Sequence, residues 1–209
     1  MNDYILVANG VIDDYPLTRQ IITRQKAHLI AVDGGLRHLD AMELNPDMII
    51  GDLDSLSPEL LDAYEGITIK SYPTDKDETD LELAVEEAID LGAENILLLG
   101  ALGGRCDHHL ATLYLMARHP ELINCETEQE EIFIITQNSI LEVERGQRIS
   151  LLPLGSPVSR VKTSGLKWEL DGCELNSDFL SVSNVCVADS VNIFLEEGTL
   201  LCTLEKLTS

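Results

Sequence analysis

Basic side chains are scarce in this chain of 209 residues: 14 lysines and arginines stand against 37 aspartates and glutamates, and the formal net charge is −23. A surface of this charge repels phosphate backbones and anionic lipid, which argues against non-specific nucleic-acid binding and against docking to a membrane surface. A phosphate-bearing ligand is still compatible with it, provided that a divalent cation lies between carboxylates and phosphates. The hydrophobic fraction of 44% is typical of a folded globular protein.

Long apolar runs and paired cysteines are also missing. No run approaches the roughly 20 apolar residues of a membrane span, and residues 1–10 lack the basic and apolar segments of a signal peptide. The five cysteines are odd in number and widely spaced, and no Cys-x-x-Cys occurs. We therefore expect a cytoplasmic, reduced protein without a disulfide framework or a zinc site, in which most cysteines are small buried hydrophobic residues.

The first two thirds of the chain alternate short apolar runs with helical patterns. The runs that predict strands are Tyr4–Ala8, His28–Val32, Met48–Ile50, Thr68–Ser71, Asn95–Leu99 and Ile132–Ile135. Ser57-Pro58 marks one helix start, and the spacing of Thr79 and Glu82 fits a capping box at another. Strand–helix repetition predicts an α/β, Rossmann-like parallel sheet with flanking helices.

The pattern changes near residue 137. From there on, short runs such as Lys167–Leu170 alternate with turn signals such as Asp171-Gly172 and Glu197-Gly198, and no amphipathic helix is evident. The acidic run Glu126–Glu131 just before the change resembles a linker. We therefore predict two domains, residues 1–136 and residues 137–209, the second an all-β sandwich.

Glycines and polar residues follow the predicted strands one after another. The segments are Asn9-Gly10, Asp33-Gly34-Gly35, Gly51-Asp52-Leu53-Asp54-Ser55, residues 73–80 and residues 100–108. Open parallel sheets bind ligands outside the carboxyl ends of their strands. Because these loops share one edge of the predicted sheet, we expect them to form one site.

Two of these segments carry closely spaced carboxylates. Asp52 and Asp54 on a tight loop can direct both side chains at Mg²⁺, but an Asp-rich turn accounts for the same residues equally well. Residues 75–80 contain four carboxylates around Lys76. These carboxylates repel one another, and a bound cation would reduce that repulsion. A solvated charge run with a helix cap is the competing interpretation.

Two further segments are informative. Gly103-Gly104-Arg105 before a predicted helix offers backbone N–H groups and a guanidinium to phosphate, although a Gly-Gly turn is also a common structural feature. Neither a P-loop nor a G-x-G-x-x-G fingerprint occurs. The single tryptophan, Trp168, is by residue type alone more typical of core packing than of a ligand contact.

The distinctive motifs, in chain order, are Asp33-Gly34-Gly35, the Gly51–Ser55 loop, Asp75-Lys76-Asp77-Glu78-Thr79-Asp80, Gly103-Gly104-Arg105-x-Asp107-His108, Ser164-Gly165-Leu166-Lys167-Trp168 and Ser181-Val182-Ser183-Asn184. In their order and approximate spacing, these motifs resemble those of the thiamine pyrophosphokinase family. The resemblance covers nearly the whole chain. It departs from the family's pattern at Thr112, where Asn is expected, and Cys106 fills a variable position.

The resemblance implies a fold and an activity. Residues 1–136 would be an α/β catalytic domain that binds ATP and Mg²⁺, and residues 137–209 a β-sandwich for thiamine binding and dimerisation. The reaction would transfer the diphosphate group of MgATP to the hydroxyl of thiamine, giving thiamine diphosphate and AMP. It would take place in a homodimer with the active site near the interface.

The resemblance also implies roles for individual residues. The catalytic residues would be Asp80, Asp52, Asp54 and Asp107, and the metal ligands Asp52, Asp54 and Asp80. The ATP- and phosphate-binding residues would be Asp33, Gly34, Asp75, Lys76, Asp77, Thr79, Gly104, Arg105 and His108. The thiamine-binding residues would be Ser164, Trp168, Ser183 and Asn184. A thiazolium ring is a flat cation, so an aromatic wall at Trp168 makes physical sense.

Two alternatives stay open. A pyrophosphokinase for another small alcohol, such as a pterin carbinol, could use the same α/β scaffold. A non-catalytic acidic module that binds metal or nucleotide would also fit the strand-end carboxylates. The choice of Asp80 or Asp107 as the carboxylate that orients or deprotonates the hydroxyl is likewise left open.

Overall fold

The computed structural model describes residues 2–207, which fall into two compact units. The first extends to Leu115 and includes Leu122–Glu128, and the second contains Met116–Glu121 and the chain from Gln129 onward. The division therefore comes at residues 128 and 129, earlier than the predicted boundary at 136 and 137. The reason is that the strand at Glu130–Ile135 pairs antiparallel within the second unit.

The first unit is built on a parallel sheet. Its strands are β1 (Asp3–Val7), β2 (His28–Val32), β3 (Met48–Gly51), β4 (Thr68–Ser71), β5 (Asn95–Leu99) and β6 (Ile123–Glu126), in the spatial order β6-β5-β1-β2-β3-β4. Ile5, Leu6, Ile30 and Ala31 are at most 1% exposed, because successive residues of these strands are covered on both faces. The predicted α/β fold is confirmed.

Helices connect these strands, and local capping chemistry sets where they begin. They are α1 (Tyr15–Arg24), α2 (Gly35–Ala41), α3 (Pro58–Ala63), α4 (Asp80–Asp90) and α5 (Cys106–Arg118). The predicted capping box is present at α4: Glu82 N donates to Thr79 Oγ1 over 3.2 Å, and Thr79 N donates to Glu82 Oε2 over 2.9 Å. Ser57 caps α3 as predicted.

The second unit is a β-sandwich. One antiparallel sheet has the order β12-β9-β14-β7 and the other β11-β10-β13-β8. The strands are β7 (Glu130–Ile135), β8 (Ser139–Glu142), β9 (Arg148–Pro153), β10 (Val158–Ser164), β11 (Asp171–Leu175), β12 (Ser181–Val185), β13 (Ser190–Phe194) and β14 (Leu200–Glu205). One buried cluster, including Leu151, Val161 and Leu200, draws from both sheets. The predicted all-β region is confirmed.

Two local predictions are wrong. The segment Lys167–Leu170 is a loop, in which Trp168 N and Leu170 N donate to the side chains of Asn184 and Thr163. Asp171-Gly172, predicted as a turn, begins β11. The acidic run Glu126–Glu131, which resembles a linker in the sequence, contains the last residue of β6. Tertiary partners decide these segments, namely side-chain acceptors for the loop and pairing with β10 for β11, and a local sequence pattern does not reveal either.

Two further expectations concern cysteines and membranes. Cys125, Cys186 and Cys202 are buried, whereas Cys106 is exposed, and the described cysteines form no disulfide. Burial and the nearby Cys186 raise the pKa of Cys202 beyond its usual range. Within residues 2–207 no helix is long and apolar enough to cross a membrane.

Candidate active site

Asp33, Asp52 and Asp54 form an acidic cluster at the carboxyl ends of β2 and β3. One carboxylate oxygen of each lies within 4.8 Å of those of the other two. β2 and β3 are neighbours in register, with Val32 opposite Ile50, so the residues that follow them come together at one sheet edge. Hard carboxylate oxygens at this spacing are suitable ligands for Mg²⁺.

An unusual backbone shapes the acidic cluster. Leu53 lies between Asp52 and Asp54 with φ at 63°, and Asp33 has φ at 47°, both in the left-handed region that non-glycine residues rarely adopt. Asp54 N donates to Asp52 Oδ1 over 3.2 Å, and the Ser55 hydroxyl donates to Asp33 Oδ1 over 2.9 Å. The side chain of Leu53 packs against the buried core of the first unit.

The electrostatics of the acidic cluster fit a cation. Repulsion by the Asp52 carboxylate is the main cause that raises the pKa of Asp54, and Asp33 and Asp80 add to it. A bound divalent cation would remove this repulsion, because it would stabilise the ionised form of every carboxylate it touches. The residues present therefore fit Mg²⁺ on their chemistry as well as on their spacing.

A pocket of about 340 Å³ lies in the first unit, and the ends of β1, β2 and β5 and the starts of α4 and α5 contribute to its wall. Six residues with a predicted role line it, namely Asp33, Thr79, Asp80, Gly104, Arg105 and His108. Asp33 belongs both to this lining and to the acidic cluster, so it joins the two features. The predicted convergence of strand-end loops is therefore present in the structure.

Asp80 lies in the pocket wall at the first turn of α4. Its Oδ1 is inaccessible to solvent and forms no hydrogen bond of favourable geometry, but Lys76 Nζ is 3.0 Å away and provides an ion pair. The Lys76 side chain is only 12% exposed, and its Nζ also donates to Pro73 O over 2.9 Å. Lys76 thus fixes one oxygen of Asp80 within the wall.

Arg105 and Asp107 form an exposed forked pair at the start of α5. Arg105 Nη2 lies 2.6 Å from Asp107 Oδ2, and Nε donates to Oδ1 over 3.1 Å. Mainly through these hydrogen bonds, Arg105 lowers the pKa of Asp107 to about 2. Arg105 contributes to the pocket lining, whereas Asp107 does not.

Several other predicted residues lie outside the pocket lining, although the structure describes all of them. Asp75 and Asp77 are exposed on the loop before α4, and Lys76 forms the ion pair with Asp80 described above. Gly34 is buried beneath Asn9, since a Cβ added at Gly34 would fall 2.3 Å from Asn9 Cγ. The predicted metal ligand Asp80 is not part of the acidic cluster, where Asp33 stands beside Asp52 and Asp54.

The pocket also contains residues to which no role was assigned from sequence. Asn9 and Gly10 line it directly after β1, and their position at a strand end was the available signal. Thr112 lines it from α5, and its hydroxyl lies 3.0 Å from His108 O and 3.3 Å from Ala101 O. Thr112, which stands where the family's pattern has Asn, therefore has its hydroxyl bound to backbone carbonyls.

The predicted thiamine-binding residues lie in the second unit. Trp168 is 56% exposed, so it is not a core residue, and Lys167 Nζ lies 4.5 Å from its ring centroid. Ser183 is exposed and has φ at 56° within an irregularity of β12. Asn184 is buried and bonded to the Trp168 backbone. Ser164, at the end of β10, accepts from Asn192 Nδ2 over 3.1 Å.

The comparisons with known proteins agree over nearly the whole chain. Residues 19–127 match the family model described as "Thiamin pyrophosphokinase, catalytic domain", and residues 133–200 match "Thiamin pyrophosphokinase, vitamin B1 binding domain". Thiamine pyrophosphokinase 1 of Oryza sativa subsp. japonica is 34% identical over 167 residues, which cover 73% of this chain and 63% of that protein. The chain thus spans less than two thirds of this relative.

Bacterial and fungal proteins extend the comparison. Thiamine pyrophosphokinase of Bacillus subtilis is 26% identical over 180 residues, covering 82% of this chain and 84% of that protein. Its crystal structure superposes with a TM-score of 0.86 at 22% identity over 99% of this chain and 100% of the other. The crystal structure of yeast thiamin pyrophosphokinase superposes with a TM-score of 0.87 at 22% identity, over 98% of this chain and 86% of the other. The structural likeness establishes the fold.

Proposed function

Because this chain belongs to the thiamine pyrophosphokinase family, we propose that it transfers the diphosphate group of MgATP to the hydroxyl of thiamine, giving thiamine diphosphate and AMP. The observation that carries this proposal is the acidic cluster beside the glycine-lined pocket. Carboxylates that suit a cation are adjacent to backbone and guanidinium donors that suit phosphate. An activated triphosphate needs both kinds of contact.

Asp33, Asp52 and Asp54 would hold Mg²⁺, and Asp80 contributes negative charge from the pocket wall. When bound, the ion would neutralise charge on the phosphate oxygens. Gly104 and the first turn of α5 offer backbone N–H groups to the same oxygens, and Arg105 and His108 add side-chain donors. The Thr79 hydroxyl lines the pocket but donates to Glu82 Oε2 over 3.0 Å. In this proposal Lys76 acts through its ion pair with Asp80, and Asp75, Lys76 and Asp77 do not contact ATP.

The chemical step is an attack by the thiamine hydroxyl oxygen on the β-phosphorus. The bond between the β-phosphorus and the oxygen that bridges to the α-phosphorus breaks, and AMP leaves with that oxygen. We assign orientation of the hydroxyl and acceptance of its proton to Asp80, which lines the pocket. Asp107, paired with Arg105 and with its pKa held at about 2, is too weak a base, so its role is to align Arg105.

The second unit supplies the acceptor site. The exposed indole of Trp168 offers a flat electron-rich face to the thiazolium cation, and in this proposal the exposed Ser164 and Ser183 supply hydroxyl donors. Asn184 fixes the backbone of Trp168. We further propose a homodimer whose active sites lie near its interface, and a reduced cytoplasmic location, in which the free cysteines would stay thiols.

The experiment that tests the proposal is an assay of purified protein with MgATP and thiamine for both products. Thiamine diphosphate and AMP in equal amounts, dependent on Mg²⁺, are expected. Formation of ADP would contradict diphosphate transfer, and turnover with a pterin carbinol but not with thiamine would assign another substrate. Binding of MgATP without any turnover would leave only a nucleotide-binding module.

A further inference from the structure

His38 joins three elements behind the nucleotide pocket. Its Nε2 lies 2.9 Å from Gly10 O in the loop after β1, and its Nδ1 lies 2.9 Å from the hydroxyl of Tyr15 on α1. His38 itself belongs to α2 and is half-buried. The Tyr15 and His38 rings also contact each other, with centroids 5.7 Å apart.

The partners of His38 determine its tautomer. A carbonyl oxygen only accepts hydrogen bonds, so the Nε2 that faces Gly10 O must carry a proton. In the neutral ring Nδ1 is then the acceptor, and the Tyr15 hydroxyl donates to it. Burial lowers the pKa of His38, and the nearby Arg37 lowers it too, while the bond to Gly10 and the charge of Glu128 oppose them.

Gly10 has little freedom to move without disturbing the pocket that it lines. A Cβ added at Gly10 would fall 2.2 Å from Leu102 O and 2.4 Å from Gly100 O. Gly10 N donates to Gly100 O over 2.6 Å, which joins two loops of the pocket wall. His38 holds the opposite side of the same residue through its carbonyl.

We propose that His38 is a positioning residue for nucleotide binding, which ties the Gly10 carbonyl to Tyr15 and thereby fixes the loop after β1 against the loop after β5. This inference rests on the proposed use of the pocket for MgATP. It assigns His38 no contact with the substrate. Since Leu36 and Leu39 of α2 are fully buried, the helix is anchored in the core without His38.

The test compares His38→Leu, His38→Gln and Tyr15→Phe with the unchanged protein in steady-state kinetics and in calorimetric titration with MgATP. His38→Leu is expected to raise the KM for MgATP and weaken its binding about tenfold, the effect of one lost hydrogen bond. Its KM for thiamine and its kcat should stay unchanged. Glutamine carries a donor and an acceptor, so His38→Gln should recover most of the affinity.

Tyr15→Phe removes the hydroxyl that bonds His38 Nδ1 and should weaken MgATP binding less than His38→Leu does. If His38→Leu does not fold, the result for Tyr15→Phe decides the test. Nitrogen-15 NMR of labelled histidine should report the proton on Nε2 in the unchanged protein. Arg19→Gln, an exposed substitution on the same helix as Tyr15, is the matched control and should leave MgATP binding unchanged.

The inference is overturned if the affinity for MgATP is equal in the unchanged protein and in His38→Leu, or in Tyr15→Phe where His38→Leu does not fold. Equal losses in His38→Gln and His38→Leu would also overturn it, as would a change in kcat alone. An unchanged protein that binds no MgATP would refute the proposed function, which is a separate result.

Discussion

Asn184 holds Trp168 through both ends of its side-chain amide. Its Nδ2 donates to Trp168 O over 2.7 Å, and its Oδ1 accepts from Trp168 N over 3.1 Å. Asn184 is 4% exposed and Trp168 is 56% exposed, so a buried residue presents an aromatic side chain at the surface. The two residues belong to different sequence motifs, which this contact joins.

We expect Asn184→Leu to reduce the free energy of unfolding by about 1–3 kcal/mol, because the backbone groups of Trp168 lose their partner. The KM for thiamine should rise, while the KM for MgATP stays constant. Urea unfolding and steady-state kinetics measure the two effects. Because Trp168 is the single tryptophan, its fluorescence should respond to thiamine in the unchanged protein and less in the variant. Equal KM values for thiamine in the unchanged protein and in the Asn184→Leu variant would contradict a role of Asn184 in positioning Trp168.

Asp54→Asn should raise the thermal unfolding temperature of the metal-free protein, because it removes a carboxylate that Asp52 and Asp33 repel. Millimolar Mg²⁺ should then raise the unfolding temperature of the unchanged protein more than that of the variant, since a ligand stabilises the state that binds it. Asp62→Asn, an exposed substitution on α3, is the matched control. The same Mg²⁺ response in the unchanged protein and in the Asp54→Asn variant would exclude this residue as a ligand.

Asp80→Asn should abolish diphosphate transfer and leave the fold intact. The capping box of α4 uses Thr79 and Glu82, so the helix start does not depend on the Asp80 carboxylate. Asp90→Asn at the other end of α4 is the control of equal chemistry and should keep its activity. Product formation and circular dichroism check both statements; near-normal turnover in a folded Asp80→Asn protein would refute the assigned role.

The pair of Arg105 and Asp107 should be visible in a pH titration. Carbon-13 NMR of the Asp107 carboxyl group is expected to give a pKa of about 2, against an ordinary value of 3.8. Because the folded-state pKa is depressed, the small contribution of this exposed pair to stability is present above the ordinary value and disappears as the pH falls towards 2. Arg105→Gln should return the pKa towards 3.8; an unchanged value would disprove the pairing.

Sequence patterns were sufficient where structure is decided locally. The capping box of Thr79 and Glu82 needs only residues one turn apart, and β2 is a continuous apolar run, so both were predicted at their observed positions. The observed β11 depends instead on pairing with β10, for example Leu175 with Val158. A turn-like Asp-Gly dipeptide does not disclose that partner.

The same distinction applies to the site. Glycines and carboxylates after each strand predicted the convergence of the loops, because parallel strands share one carboxyl edge. Which carboxylates meet depends on the register of β2 and β3 and on the left-handed backbone at Asp33 and Leu53. A left-handed backbone at an aspartate or a leucine cannot be predicted from the residue type. Asp33 was therefore predicted to bind phosphate and was not predicted to join Asp52 and Asp54.

Leu53 also connects the proposed ion site to the rest of the first unit in a thermodynamic sense. Its backbone links Asp52 to Asp54, while its side chain packs against the buried cluster of the first unit. Any loosening of that packing must therefore widen the range of distances between the two carboxylates and lower their affinity for a cation. By reciprocity, an ion bound by the proposed site would rigidify hydrophobic residues that it does not touch.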